Sequence, residues 1–339
     1  MGKDLKIGII GTGKFSVMHL LAWRSIDLIN SIGVYGSDKD RISKFSKINN
    51  ITPYTDIDSL VRDSDIIDIV SANNTHCDYA LNVLNNAKSI LIEKPIDIDY
   101  EKAKKFSLLS KDKDIAVSVI SQYRFAESYI ELKKLIMDGT IGDIRLCRIC
   151  VIWPRGDEYF NKNSGWRKSI SKAGGGVLIH QCIHFIDLLH WFFGPVHSVI
   201  GRTISDNDNQ DTVEHTFIGD IEFKSGTSCQ IFFSTSNFSY FKNYIEVFGS
   251  KNYVTARDQH LYLGTNNRKD LIKNLIPNTI HAISPAEKVS TLLKRQFNDF
   301  ILSISNNKPP AVTLNDGLTA LNTTLKLYES FILGKRIYL

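Results

Sequence analysis

Glu93-Lys94-Pro95 stands directly after the apolar run 89–92. A lysine at the carboxyl edge of a parallel sheet is costly unless it is solvated or used. Beside a reacting alcohol, its ammonium can bond the oxygen and pass on a proton, and a lowered pKa would help. The plain alternative is a surface lysine. Gly174-Gly175-Gly176 leads into a helix expected over 176–193, which carries His180 and His184. Residues four apart share a helix face, and Asp187 lies three past His184. An imidazole beside a bound alcohol relays its proton near neutral pH. Two such histidines also have metal-ligand spacing, but Gln181 stands where H-E-x-x-H needs glutamate, so no metal is assigned. Buried structural histidines are the other reading.

Gly11-Thr12-Gly13-Lys14-Phe15-Ser16 follows a strand and opens a helix, the setting that a dinucleotide-binding turn requires. Gly11 would make the tight turn. Gly13 would let the backbone approach a pyrophosphate at the helix N-terminus. Ser16 replaces the usual third glycine. At the tip of the second strand stands Gly36, with Ser37 and Asp38 next and Lys39 and Arg41 close by. An acid at the tip would bond the ribose hydroxyls and favour NAD. With Asp38 late and basic residues near, NADP is also admitted, and the choice stays open. The segment 71–76, with Asn73, Asn74 and His76, could line ribose and nicotinamide, or serve only as turn and cap residues.

Between a strand and the histidine stretch lies a loop with Trp153, Arg155, Tyr159, Trp166, Arg167 and Lys168, and Lys172 further out. Arginine forks suit carboxylates and phosphates, and Trp and Tyr can cover a sugar ring. A loop braced by its own aromatics is the competing reading.

These groups need elements to hold them. Over the first 120 residues, strands expected at 5–10, 31–35, 66–71, 89–92 and 115–120 alternate with helical stretches. Repeated β-α-β with apolar strands means a parallel sheet covered on both faces. After Gln122 the pattern changes. A helix over 127–138 precedes alternating runs at 144–153, 198–203, 215–223, 227–234, 244–249 and 260–263, as in an antiparallel sheet. Helices return at 289–305 and 317–334, and loosely ordered polar patches fall at 205–210 and 266–270. The expected architecture is an α/β Rossmann domain over 1–122 plus an α+β domain with a large, mostly antiparallel sheet over 123–339. The C-terminal helix can pack back on the first domain.

The 339 residues carry a net charge of +5 and are 43% hydrophobic, which excludes disordered, collagen-like and disulfide-scaffold classes. The charge is not clustered, so nucleic acid is not an expected partner, and no apolar run is long enough to span a membrane. Five sparse cysteines and no signal-like N-terminus lead us to expect a cytoplasmic protein. Cys147-x-x-Cys150 lies in an alternating run, and buried strand thiols are its expected reading.

The chain resembles the glucose–fructose oxidoreductase / inositol dehydrogenase / rhizopine-catabolism (Gfo/Idh/MocA) family. The resemblance rests on Gly11-x-Gly13 with His19, Asn74-x-His76, Glu93-Lys94-Pro95, Arg124-Phe125, Gly139-x-Ile141-Gly142, and Gly174-Gly175-Gly176 through His184 and Asp187. It implies hydride exchange between a nicotinamide and a hydroxyl-bearing carbon of a sugar or cyclitol. Lys94 would be the lysine near the reacting oxygen, with His184 as its partner and His180 where relatives commonly have Asp or Asn. NAD(P) would be held by Gly11 through Ser16, Ser37, Asp38, Asn73, Asn74, His76, Glu93, Lys94, Gln122 and Arg124. Substrate would meet Lys94, Trp153, Arg155, Tyr159, Trp166, Arg167, His180, Gln181 and His184. Ser16, Gly36 and Tyr123 also depart from the common pattern. The 153–167 loop and Gln181-x-Ile183-His184 look most like sugar-nucleotide 3-dehydrogenases, which oxidise UDP-linked N-acetylglucosaminuronate on the way to surface polysaccharides. Cyclitol or simple-sugar dehydrogenases and ketosugar reductases are the alternatives, and a non-catalytic NAD(P)-binding sensor is a different class. The family also implies homodimers or homotetramers built through the large sheet. Ile218 and Phe232 are expected as an exposed apolar patch on its second face.

Overall fold

The computed structural model describes residues 5–113, 115–161, 163–204, 213–236, 243–257, 260–265, 273–274 and 285–339. The polar patches at 205–210 and 266–270 lie outside them. The chain forms two compact units, Met1–Gln122 with Ala282–Leu318, and Tyr123–His281 with Thr319–Leu339.

The first unit alternates β1 (Leu5–Ile10), α1 (Lys14–Arg24), β2 (Ile29–Tyr35), α2 (Lys39–Asn49), β3 (Thr52–Pro53), α3 (Ile57–Asp63), β4 (Ile66–Ile69), α4 (His76–Val83), β5 (Ser89–Ile92), α5 (Tyr100–Asp112) and β6 (Ala116–Val119). The sheet is wholly parallel, in the order β3-β2-β1-β4-β5-β6. The order reverses between β1 and β4, the place where a doubly wound sheet opens a ligand crevice. Strands β4 and β5 are buried at every position, as a sheet covered on both faces demands. The core of this unit includes residues far along the chain: Leu293, Phe297, Phe300 and Ile301 join Ile7, Ile9, Trp23, Leu91 and Ile120. Phe297 stacks on Trp23 with ring centroids 4.0 Å apart. Gln296 completes the end of β6, donating to the Val119 carbonyl at 2.8 Å and accepting the Ser121 N–H at 3.0 Å.

The second unit begins with α6 (Glu127–Met137), β7 (Ile144–Ile152), α7 (Asp157–Asn161), α8 (Ile170–Ala173), α9 (Val177–His180), α10 (Ile183–Phe193) and β8 (Val196–Ile204). It continues with β9 (Thr216–Phe223), β10 (Ser228–Ser234), β11 (Asn243–Gly249), β12 (Asn252–Arg257), β13 (His260–Thr265) and β14 (Lys273–Asn274). Helix α11 (Pro285–Ser305) follows as part of the first unit. Helix α12 (Leu314–Leu333) starts there, and its residues from Thr319 on, with β15 (Ile337–Tyr338), belong to the second.

The large sheet runs β14-β13-β12-β11-β7-β10-β9-β8-β15 among the described residues. Every pairing is antiparallel except β7 with β10. Strand β12 was not expected. It forms the second arm of a tight hairpin with β11, and its lone Val254 and Ala256 give a weak alternation. One face of the sheet is apolar, with Cys147, Ile149, Cys229, Ile231, Phe217 and Val247 buried. On the other face, cross-strand partners form the row Arg202, Ile218, Phe232, Cys150, Tyr244 and Arg257. The row is mixed, as the alternation of these strands led us to expect, and within it Ile218 and Phe232 are half-buried where an exposed patch was expected. Cys147 and Cys150 fall on opposite faces of β7, because strand side chains alternate. No single helix among the described residues is long and apolar enough to cross a membrane. Helix α10 is apolar because it is buried nearly all round.

Candidate active site

The turn from β1 into α1 is built by exclusion. Gly11 has φ +138, and a Cβ there would meet the Val70 carbonyl, so only glycine fits. A Cβ on Gly13 would meet nothing within 4 Å, so open space lies over this backbone. Gly13 caps α1 without a side-chain bond, leaving the first N–H groups of Lys14, Phe15 and Ser16 to a ligand. Thr12 is half-buried at this turn, and Lys14 and Phe15 are exposed.

The fit to a nicotinamide dinucleotide can be tested on buried polar atoms. Ser16 Oγ, Asn73 Nδ2 and Gln122 Oε1 are buried and meet no hydrogen-bond partner among the described residues. Leaving such an atom unpaired costs about 1–3 kcal/mol, so these atoms call for a bound group to complete them. Asn73 and Gln122 follow the carboxyl ends of β4 and β6, on the edge of the sheet where ligands bind, with half-buried Asn74 next to Asn73. Gly11, Gly13, Ser16, Asn73 and Gln122 therefore fit the group.

Asp38 has a local task. Its carboxylate accepts the N–H groups of Asp40 and Arg41 at 3.0 Å each and caps α2. Arg41 Nε lies 3.5 Å from the same carboxylate. Ser37 is exposed beside it, and the strand tip itself is Gly36.

Lys94 is half-buried just past the end of β5. Its neighbours are anchored on both sides. Glu93 Oε2 accepts the Lys94 backbone N–H at 2.9 Å. The buried His76 ring faces the Pro95 carbonyl at 2.7 Å and the Ser71 carbonyl at 3.2 Å. Burial pushes the His76 imidazole down, so it is neutral and donates to one of the two. His76 thus braces the Lys94-Pro95 turn from behind.

Beneath Lys94 lies a buried charge cluster. His19 on α1 faces Asp68 Oδ2 at 2.8 Å and Glu93 Oε1 at 3.0 Å, and Trp23 Nε1 donates to Asp68 Oδ2 at 2.7 Å. Burial alone would push His19 down; the two carboxylates outweigh it and raise it to about 10. Burial would also raise Glu93, but the bond and charge of His19 hold it below the usual range. His19 is therefore an imidazolium at neutral pH.

A pH dependence follows, with a definite sign. A group whose pKa is raised on folding stabilises fully below its unfolded value, and loses that contribution as pH climbs through the folded value. In denaturant melts, wild type should exceed His19→Gln by about 3–5 kcal/mol near pH 6, the cost of breaking a buried pair. That gap should shrink steadily toward pH 10.

In the second unit the helix expected over 176–193 is two helices. It breaks at Gln181-Cys182, between α9 and α10, where the N–H of Cys182 reaches back to the Val177 carbonyl at 2.9 Å. Upstream of that break, Glu214, distant in sequence, holds the start of α9. Its carboxylate accepts the N–H of Gly176 at 2.6 Å, the N–H of Leu178 at 3.0 Å and the Tyr328 hydroxyl at 2.7 Å. A Cβ on Gly176 would strike the Glu214 backbone, and one on Gly175 the Tyr328 hydroxyl. The glycines are thus wrapped around these two side chains. Burial pushes the Glu214 carboxyl up, partly offset by its three donors. Sequence reasoning missed both residues, and neither belongs to a motif.

His184 is buried on α10, with its ring 5.0 Å from that of Tyr123. Trp153 packs near Tyr123 and Phe185, at 6.4 and 5.6 Å between ring centroids. Arg124, expected at the cofactor, makes a buried two-pronged ion pair with Asp187 at 2.6 and 2.8 Å. It ties the start of the second unit to the helix that carries His184.

The loop residues converge. Gln181 Nε2 donates to the Tyr159 hydroxyl at 3.1 Å. The Arg155 and Arg167 guanidiniums lie 5.3 and 4.8 Å from the Tyr159 ring centre, and Arg167 is 4.6 Å from that of Trp166. The His180 ring sits 5.3 Å from Trp166 and 6.3 Å from Tyr159. Arg167 Nε and Gln181 Oε1 meet no hydrogen-bond partner among the described residues. Two cations, three rings and an open amide oxygen thus share one patch.

The chain is similar to known proteins in both of its units. The family model described as "Oxidoreductase family, NAD-binding Rossmann fold" matches residues 5–121, and that of the GFO/IDH/MocA C-terminal domain matches 129–255. The chain is 24% identical over 327 residues to the myo-inositol 2-dehydrogenase of Thermotoga maritima, covering 94% of this chain and 93% of that one. It is 29% identical over 196 residues to the glucose-6-phosphate 3-dehydrogenase of Bacillus subtilis, covering 56% and 53%. The WlbA dehydrogenase of Bordetella pertussis, solved in complex with NADH and UDP-GlcNAcA, superposes with a TM-score of 0.84 at 21% identity, covering 99% of this chain and 98% of that one. The chain is an oxidoreductase of the Gfo/Idh/MocA family, with a Rossmann domain for a nicotinamide dinucleotide and a second domain built on a large, mostly antiparallel sheet.

Proposed function

We propose that the protein transfers hydride between NAD(P) and a secondary hydroxyl of a sugar, and that the sugar is a UDP-linked N-acetylhexosaminuronate oxidised at C3, in the cytoplasm, on the way to a surface polysaccharide. The observation that carries the substrate is the patch of Arg155, Tyr159, Trp166 and Arg167 beside His180 and Gln181. Guanidinium forks bind carboxylate and diphosphate, and aromatic faces cover a pyranose. The UDP-GlcNAcA held by the Bordetella neighbour supports the same class.

Bound NAD(P) supplies the hydride acceptor or donor. The chain's own groups do the rest. Gly11 through Ser16 present N–H groups to the pyrophosphate, and Asn73, Asn74 and Gln122 orient the nicotinamide end. The Lys94 ammonium bonds the reacting oxygen, and Lys94 with His184 moves its proton. His180 relays that proton in place of the acid or amide that relatives commonly carry there. Trp153 borders the sugar.

The test is turnover on a panel of UDP-GlcNAcA, UDP-GlcNAc, glucose 6-phosphate and myo-inositol, read by nicotinamide absorbance with NAD and with NADP. Preference for UDP-GlcNAcA is expected. Turnover of myo-inositol alone would move the assignment to a cyclitol dehydrogenase, the reading that the full-length Thermotoga relative favours. Tight NADH binding with no turnover at all would leave a sensor.

The same reading proposes a homodimer or homotetramer built through the large sheet. Its second face carries Ile218, Phe232 and Tyr244 among charged residues, and Arg148 pairs with Glu246 there at 2.6 Å. Light scattering at micromolar concentration should give at least twice the chain mass, and a strictly monomeric mass would remove this proposal.

A further inference from the structure

His19, Asp68 and Trp23 have no part in the proton transfer assigned above, yet all three are fully buried. Burying charge is costly, and a well-packed apolar cluster would often serve stability as well or better. The arrangement therefore asks for another purpose. We propose that His19 is a positioning residue for Lys94: clamped between Asp68 and Glu93, it fixes the Glu93 carboxylate, whose other oxygen holds the Lys94 backbone N–H.

Each link is a hydrogen-bonding contact in the structure. Asp68 on β4 is held by Trp23 at 2.7 Å and by His19 at 2.8 Å. His19 spans from there to Glu93 at 3.0 Å. Glu93 uses Oε1 for His19 and Oε2 for the Lys94 N–H at 2.9 Å. Phe297 and Phe15 flank the imidazole at 5.4 and 5.6 Å between centroids, so the ring has little room to turn. The clamp spans α1, β4 and the end of β5, three elements beside the point where the strand order reverses. A carboxylate held on one oxygen by a fixed imidazolium cannot rotate away from the chain it supports on the other. An error of about 1 Å in such a group costs on the order of 100-fold in rate.

The proposal rests on Lys94 as the proton-handling group, so its test has an arm that needs no substrate. Amide exchange at Lys94 is followed in the full chain with NADH bound, for wild type, His19→Gln and Asp68→Asn. Exchange at Lys94 should quicken about tenfold or more in each variant, with NADH affinity by fluorescence held within about threefold. Unchanged exchange at Lys94 in a folded variant would overturn the proposal. If neither variant folds, the nitrogen spectrum of the His19 ring in wild type decides: a doubly protonated ring at pH 8 is expected, and a neutral single tautomer overturns the clamp.

The second arm is a double-mutant cycle on the panel substrate that turns over. His19→Gln should lower kcat about 10- to 100-fold with KM nearly unchanged, and should add nothing on a Lys94→Met background. Additive losses would show a role independent of Lys94. Near wild-type turnover by Lys94→Met alone would instead overturn the reading of the site, and the exchange arm would still judge the clamp.

Discussion

Replacing Lys94 with methionine should abolish nearly all turnover while leaving the cofactor bound. Removing a general acid–base group costs ~10²–10⁴ in rate. Methionine keeps much of the side-chain bulk at this half-buried position, so the loss reports the ammonium. The proposed pyrophosphate grip is the backbone from Gly11 to Ser16, and the Glu93 bond uses the main-chain N–H, which the substitution retains. NADH affinity, read by fluorescence, should therefore stay within about threefold. A variant that turns over at close to wild-type rate would remove Lys94 from the chemistry and leave His184 and His180 as the proton-handling candidates.

The second large effect separates anionic from neutral substrates. Arg155→Ala and Arg167→Ala should each lower kcat/KM on UDP-GlcNAcA by about 10- to 100-fold, because a charge-assisted hydrogen bond is worth ~1.5–3 kcal/mol. On a neutral polyol the losses should be small. The structure sharpens this comparison for Arg167, which also stacks between Tyr159 and Trp166. Alanine there loosens the stack, a loss common to every substrate, so only the ratio between substrates measures the charge. Equal losses on both would show that the arginines brace the loop and would favour the cyclitol or simple-sugar reading.

Where the sequence was readable, the cause was local. The Gly11-x-Gly13 turn, the apolar runs of β4 and β5, and Lys94 at a strand end follow from spacing over a few residues. The hold of Glu214 and Tyr328 on the start of α9 was not readable, because both are distant in sequence, and nothing in the spacing over 176–193 marked the break at Gln181-Cys182. The i, i+4 relation of His180 and His184 assumed one continuous helix, and the break removes that argument. Asp38 was weighed as a ribose acid, although its place ahead of α2 also suits a helix cap. One signal stood in plain view. Asp68 is the lone acid in the run Ile66–Ile69, and a carboxylate inside a buried parallel strand announces a partner. Its partner is His19, which the sequence reading placed only within a family motif.

Helix α11 has a consequence for biosynthesis. It supplies Phe297 to the Trp23 stack and Gln296 to the end of β6, so the first unit is assembled from two stretches far apart in sequence. Domains usually fold as they emerge, at about 5–20 residues per second. Here the nascent Rossmann segment must wait on the order of tens of seconds, with the Trp23 indole and the end of β6 uncovered, until residues 285–305 leave the ribosome. A fragment ending at Gln122 would keep the whole parallel sheet and still lack part of its core. Such a fragment should be a client for chaperones, where a continuous Rossmann domain would be a free-standing module.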